Sequence, residues 1–154
     1  MNKVSTAVTV GMVIVGAAMA MPALQATEHG RLDARLLGDN EVCAVAECDD
    51  PNGRGHAAIR LKRADRRICF SIRWRRIEAP YAAHIHRGEE GVEGPVEVTL
   101  FSARELSTSV KKIGGCARAG RSLIDAIKAD PGAFYVNVHT PSYEGGAIRG
   151  QLRQ

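Results

Sequence analysis

Aromatic residues are scarce in this 154-residue chain, with one Trp, three Tyr and three Phe. Together with many short apolar runs, that scarcity fits a β-rich domain. Several functional signatures are also missing. There is no Gly-x-Ser-x-Gly, no phosphate loop, no Cys-x-x-Cys and no cysteine spacing of a zinc knuckle. Nucleophile-elbow hydrolysis, P-loop chemistry and thioredoxin-type redox chemistry therefore have no sequence support. Charge of one sign is not in excess either. The formal net charge is +4, which does not by itself imply a nucleic-acid partner. No internal repeat, low-complexity tract or interdomain linker interrupts the chain, so its length indicates one domain.

The N-terminus is organised differently from the rest. Lys3 is followed by an uncharged stretch, Val4 to Ala20, that ends in Ala18-Met19-Ala20. This is the pattern of a secretory signal peptide over residues 1–20, with the cut falling between 20 and 26 because Pro22 and Ala26 follow. The rival reading is a retained anchor, although Ser5, Thr6 and Thr9 dilute a stretch near the lower limit for a span. If the leader is removed, no stable membrane span is expected, and the protein is secreted or periplasmic. The four cysteines fit that compartment. An even set, Cys43, Cys48, Cys69 and Cys116, favours two disulfides over a metal site. Of three connectivities the favoured one pairs Cys43 with Cys48, across a short loop, and Cys69 with Cys116, from a central strand to the segment before the helix.

Alternation with period two marks the strands. It runs through 31–37, 56–62, 68–74, 83–86, 96–101, 134–140 and 147–153. Arg63 to Arg66 turns the second run into the third, and Glu144-Gly145-Gly146 is the expected turn of the last hairpin. One helix is expected after Ser122, with Asp125 completing a capping box and Asp130-Pro131-Gly132 ending it. Gly150, inside the last strand, suggests a bulge or a close backbone approach.

Two of these strands carry histidines. In Ala83-His84-Ile85-His86 the two imidazoles share a face. In Tyr135-Val136-Asn137-Val138-His139-Thr140 the face is Tyr135, Asn137 and His139. Neutral imidazoles on paired strands are good ligands for copper or zinc, so His84, His86 and His139 form a candidate metal site. His56 is a candidate fourth ligand, and Glu89, Glu90 and Glu93 are candidate outer acceptors. The alternative is a hydrogen-bonded polar cluster that holds the Gly88–Pro95 loop. Arg149, expected near the same face, either pairs with an acid there or repels a metal.

A second constellation is basic. Arg60 and Lys62 face opposite to Ile59 and Leu61, and Arg73 and Arg75 opposite to Ile72 and Trp74. One sheet face is therefore positive, a candidate surface for an anionic envelope or extracellular polymer or an acidic protein. It has no interleaved aromatics, so no nucleic acid is expected. The other reading is a solvated face that protects strand edges.

The ordered string Leu36-Leu37-Gly38-Asp39-Asn40-Glu41-Val42, Ala83-His84-Ile85-His86, Gly94-Pro95-Val96-Glu97-Val98-Thr99-Leu100, Tyr135 to Thr140, and Gly146-Ala147-Ile148-Arg149-Gly150-Gln151-Leu152 resembles the CHRD domain, named from chordin and common in secreted bacterial proteins. The resemblance spans residues 31–153. It departs from the family where Cys43 to Cys48 replaces a proline-containing stretch. Membership implies an extracytoplasmic module; in chordin the domain belongs to an extracellular protein that binds growth factors. The histidine outline is also similar to the copper side of copper–zinc superoxide dismutases, without their bridging histidine or zinc loop.

The expected fold is all-β, an antiparallel Greek-key sandwich of the immunoglobulin or superoxide dismutase kind with one short helix. The expected role is non-enzymatic binding or envelope association. The alternative is a three-histidine copper or zinc protein, superoxide dismutase-like in outline.

Overall fold

Period-two alternation becomes eight antiparallel strands. In the computed structural model, which describes residues 30–42, 49–104 and 106–154, they are β1 Arg31–Leu37, β2 Arg54–Lys62, β3 Arg67–Arg75, β4 Ala82–Arg87, β5 Val96–Ser102, β6 Lys112–Arg118, β7 Phe134–Thr140 and β8 Tyr143–Gln151. One helix, α1 Arg121–Ala129, follows β6. The leader, its cut site and Cys43 and Cys48 lie outside the described residues. Among the described residues, no helix is long and apolar enough to cross a membrane.

The all-β expectation with one short helix stands, but the strands make one sheet instead of the two of a sandwich. Their order is β5-β4-β7-β8-β1-β2-β3-β6. The two edge strands approach each other, so the sheet curls into a nearly closed barrel. Leu32, Leu36, Ile59, Ile68, Ile72, Ile85, Val136 and Ile148 point inward from alternate positions, and α1 adds Ile124 and Ile127 to the same core. Rolling a single sheet buries one face of every strand against the others, which two-layer packing would otherwise do.

The middle of the sheet is its thinnest part. β1 and β8 share the single register pair Leu37↔Arg149, supplemented by the bridge Asp33↔Arg153. Gly150 supplies the close approach expected of it, because a Cβ there would overlap the Arg35 carbonyl across this seam. Backbone cannot yield as a flexible side chain does. Gly150→Ala is therefore expected to cost about 3 kcal/mol, read as a lower urea midpoint with unchanged slope.

Three local expectations are corrected. β6 was read only as the segment before the helix; Gly114-Gly115 and half-exposed Ile113 and Ala117 leave it without clear alternation. The N-cap of α1 is Gly120, not Ser122, and no side chain caps the helix. Asp125 instead pairs with Arg63 at 2.6 Å, which ties the helix to the β2–β3 turn. The last hairpin turns at Pro141-Ser142, with Thr140 opposite Tyr143. The Glu144 to Gly146 segment lies within β8, where Gly146 takes φ +147°.

Candidate functional site

The β4–β7 pairing brings the two histidine-bearing faces together. His84 lies opposite Asn137, His86 opposite Tyr135 and Ala82 opposite His139. β8 continues the same rows, with Arg149 opposite Asn137 and Gln151 opposite Tyr135. One nitrogen from each of His84, His86 and His139 falls within a mutual 4.8 Å. His84 Nδ1 is 2.9 Å from His139 Nε2. The residues singled out by sequence therefore converge.

This is the outer face of the barrel, yet all seven residues of β7 are buried. The core covers Phe134, Val136 and Val138, and the Gly88–Pro95 loop lies against Tyr135 and its neighbours His86 and Arg149. His86 Nδ1 meets the Gly94 carbonyl at 2.8 Å, Tyr135 Oη accepts the Gly94 N–H at 3.3 Å, and the Arg149 guanidinium donates to the Glu89 and Val92 carbonyls at 2.9 and 2.8 Å. Gln151 donates to Gly88 O. The imidazole of His86 stacks on Tyr135 at 4.8 Å, and Arg149 lies over the same ring. Arg149 thus neither pairs closely with an acid nor stands free. It clamps the loop through backbone carbonyls, a role that no residue-type pattern announces.

The hydrogen bonds fix which nitrogens are free. A carbonyl only accepts, so Nδ1 of His86 must carry its hydrogen to Gly94 O. Nδ1 of His139 must likewise donate to Glu144 O at 2.8 Å. A neutral ring held this way presents Nε2 as a lone pair. For His139 that lone pair accepts from His84 Nδ1 at 2.9 Å, and Asn137 Oδ1, 3.0 Å away, must turn its amide nitrogen toward the ring to pair with it. For His86, Nε2 is buried and has no hydrogen-bond partner among the described residues. Burial, reinforced by the neighbouring His139 and His86, pushes His84 down to about 4, and burial also lowers His139. Both shifts favour the uncharged ring.

Other expected participants are absent from the cluster. His56 sits on β2 and contacts Asp33 at 3.2 Å. The outer acceptors are the Gly94 and Glu144 carbonyls, not Glu89, Glu90 and Glu93; Glu90 instead approaches Arg153 at 3.7 Å.

One ionisable group was missed. Glu41 follows the first turn, and its Oε1 is enclosed without a hydrogen-bond partner among the described residues even though the residue as a whole is half-buried. Burial pushes it up to about 8, against the lowering pull of Arg149, while Asp49 raises it further. Gly146 beside it takes φ +147°, which favours glycine; a Cβ there would lie 2.5–2.7 Å from this carboxyl, the movable end of a side chain. The folded state keeps a proton that the unfolded chain releases above about 4.5. This group's contribution to stability is therefore full below pH 4.5 and lost as pH rises through 8. Glu41→Gln, which keeps the neutral shape, is expected to match the wild type at pH 4.5. At pH 8 it should exceed it by about 2 kcal/mol, allowing for partial solvation, as measured by urea unfolding at both pH values.

The cysteine expectation is met where it is described: Cys69 and Cys116 form a disulfide between neighbouring strands. The CHRD domain model matches residues 32–152, which include the three histidines, this disulfide, Glu41 and the Arg149 clamp. No curated protein and no solved structure matches the chain. A match over most of its length, on the motifs that build this site, places the chain in the CHRD domain family.

Proposed function

We propose that this CHRD domain is an extracytoplasmic, disulfide-bonded module that holds one transition-metal ion, copper(II) or zinc(II), on His84, His86 and His139. The observation that carries the reading is the buried Nε2 of His86, which has no hydrogen-bond partner among the described residues and whose own Nδ1 bonds to Gly94 O. Leaving a buried acceptor unsatisfied costs about 1–3 kcal/mol, and a cation near His84 and His139 would satisfy it. Two of the rings have the backbone-held tautomers that metal-binding histidines use. Three neutral nitrogens suit zinc or copper and suit calcium or magnesium poorly. The disulfide fits an oxidising compartment.

The test is a titration of the purified, untagged, oxidised protein with one equivalent of Cu(II) or Zn(II), followed by desalting and metal analysis. One bound equivalent is expected in the wild type and none in the His84→Ala/His139→Ala variant. A wild type that emerges metal-free sinks the reading. The second reading then stands on the His86–Gly94 contact: a polar cluster whose work is to hold the 88–95 loop.

A further inference from the structure

On the half of the barrel built from β1, β2, β3 and β6, the register gathers cations that are far apart in sequence. Successive rows across the strands read Lys62, Arg67 and Arg118; then Arg31 and Arg60 beside the Cys69–Cys116 bridge; then Asp33, Ala58, Ser71 and Gly114; then Arg35, His56, Arg73 and Lys112; then Arg54 and Arg75. The inward positions of these strands are apolar, so every one of these cations faces outward. The four strands carry ten Arg or Lys and a single acid, Asp33. Of the ten, Arg31 and Arg54 alone ion-pair among the described residues, with Asp33 at 3.5 Å and Asp39 at 3.9 Å.

The relief matches the charge. The row of Ala58, Ser71 and Gly114 has short side chains between two cationic rows. A cavity of about 490 Å³ lies there, walled by Arg31, Arg60, Arg73 and Lys112. A second of about 640 Å³ continues it past Arg35, Arg54 and Arg75, sharing His56 and Arg73 with the first. The groove follows the strand axis from Arg60 to Arg54, six residues or about 20 Å at 3.3 Å each. Like charges this dense repel one another, and solubility does not require them all on one side. The aromatic side chains of these strands, Phe70 and Trp74, are buried in the core, so the groove has no surface on which bases would stack.

We infer that this groove binds a linear polysaccharide bearing carboxylate or sulfate groups, laid along β2 and β3 with its anions against the two cationic walls. The surface is separate from the histidine cluster, which lies on β4 and β7, and the inference does not depend on metal binding.

The test uses the full oxidised protein with two probes, immobilised heparin for sulfates and polygalacturonate for carboxylates. Binding is measured from 50 to 500 mM NaCl. Arg60→Glu/Arg73→Glu reverses one residue of each cationic row. Arg87→Glu/Arg104→Glu makes the same change in net charge on and just after the β4–β5 strands, away from the groove. Binding of the wild type to at least one probe at 150 mM NaCl is expected, with a loss of tenfold or more in the groove variant and less than threefold in the control. Melting curves verify that both variants fold. Equal losses in the two variants would mean attraction by net charge alone and would overturn the proposal. So would a wild type that is not retained, or one that binds single-stranded DNA or phosphatidylglycerol vesicles more tightly than either polysaccharide.

Discussion

Replacing Cys69 and Cys116 by serine is expected to lower stability by about 4 kcal/mol. The bridge spans 47 residues, and closing a loop of that size removes unfolded-state entropy on this order. For a domain of this size the change corresponds to roughly 10–20 °C in Tm. The loss should be concentrated in β6. That strand sits at one edge of the sheet, and its inward residues Ile113 and Ala117 are only partly buried. Its hydrogen bonds to β3 and the disulfide therefore do most of the holding. Amide exchange should rise first across Lys112–Arg118 in the variant and in the reduced wild type alike. A shift below about 1 kcal/mol would mean that structure retained in the unfolded chain offsets the loop-closure entropy.

The second large effect is expected at Arg149. Arg149→Met keeps apolar volume but leaves the carbonyls of Glu89 and Val92 without their donor. Charge-assisted hydrogen bonds are worth about 1.5–3 kcal/mol each, so a loss of about 3–4 kcal/mol is expected. Glu41 adds to it only above about pH 8, where Arg149 would otherwise offset its negative charge; at lower pH the folded carboxyl is already protonated. The consequence for the site is indirect. A loosened 88–95 loop no longer holds Gly94 O against His86 Nδ1, and disturbing such a contact typically weakens metal binding by 10–100-fold. Urea unfolding and a metal competition assay on the same variant check both parts. Metal affinity unchanged in a destabilised variant would show that the tautomer of His86 is held without the loop.

The strands that carry the histidines were legible because alternation is a backbone property that survives any tertiary setting. Ala83 to His86 and Tyr135 to Thr140 each present one polar and one apolar face, and their pairing brings three imidazoles together. The outward direction of Arg60, Lys62, Arg73 and Arg75 was legible for the same reason. That the histidine cluster could hold the 88–95 loop was also legible, and His86 does so at Gly94 O. What was not legible is that Arg149 and Gln151 fasten the same loop through the carbonyls of Gly88, Glu89 and Val92, because carbonyls look alike in every sequence. The single curled sheet was not legible either, since alternating strands fit a sandwich and a barrel equally. Arg31, Arg35 and Lys112 joined the basic face only once β1 and β6 were known to flank β2 and β3.

The strand order also sets a timetable. β8, the last strand in the chain, occupies the middle of the sheet, between β7 and β1. The first strand therefore cannot meet its second neighbour until residues more than a hundred positions later have been made and have found their place. Such distant pairings are slow to close, and β-rich domains dominated by them fold in milliseconds to seconds. Until β8 arrives, β1 and β7 both present open edges that another chain can occupy. Aggregation during refolding should thus depend steeply on protein concentration, and any factor that shields those two edges should raise the yield without changing the final stability.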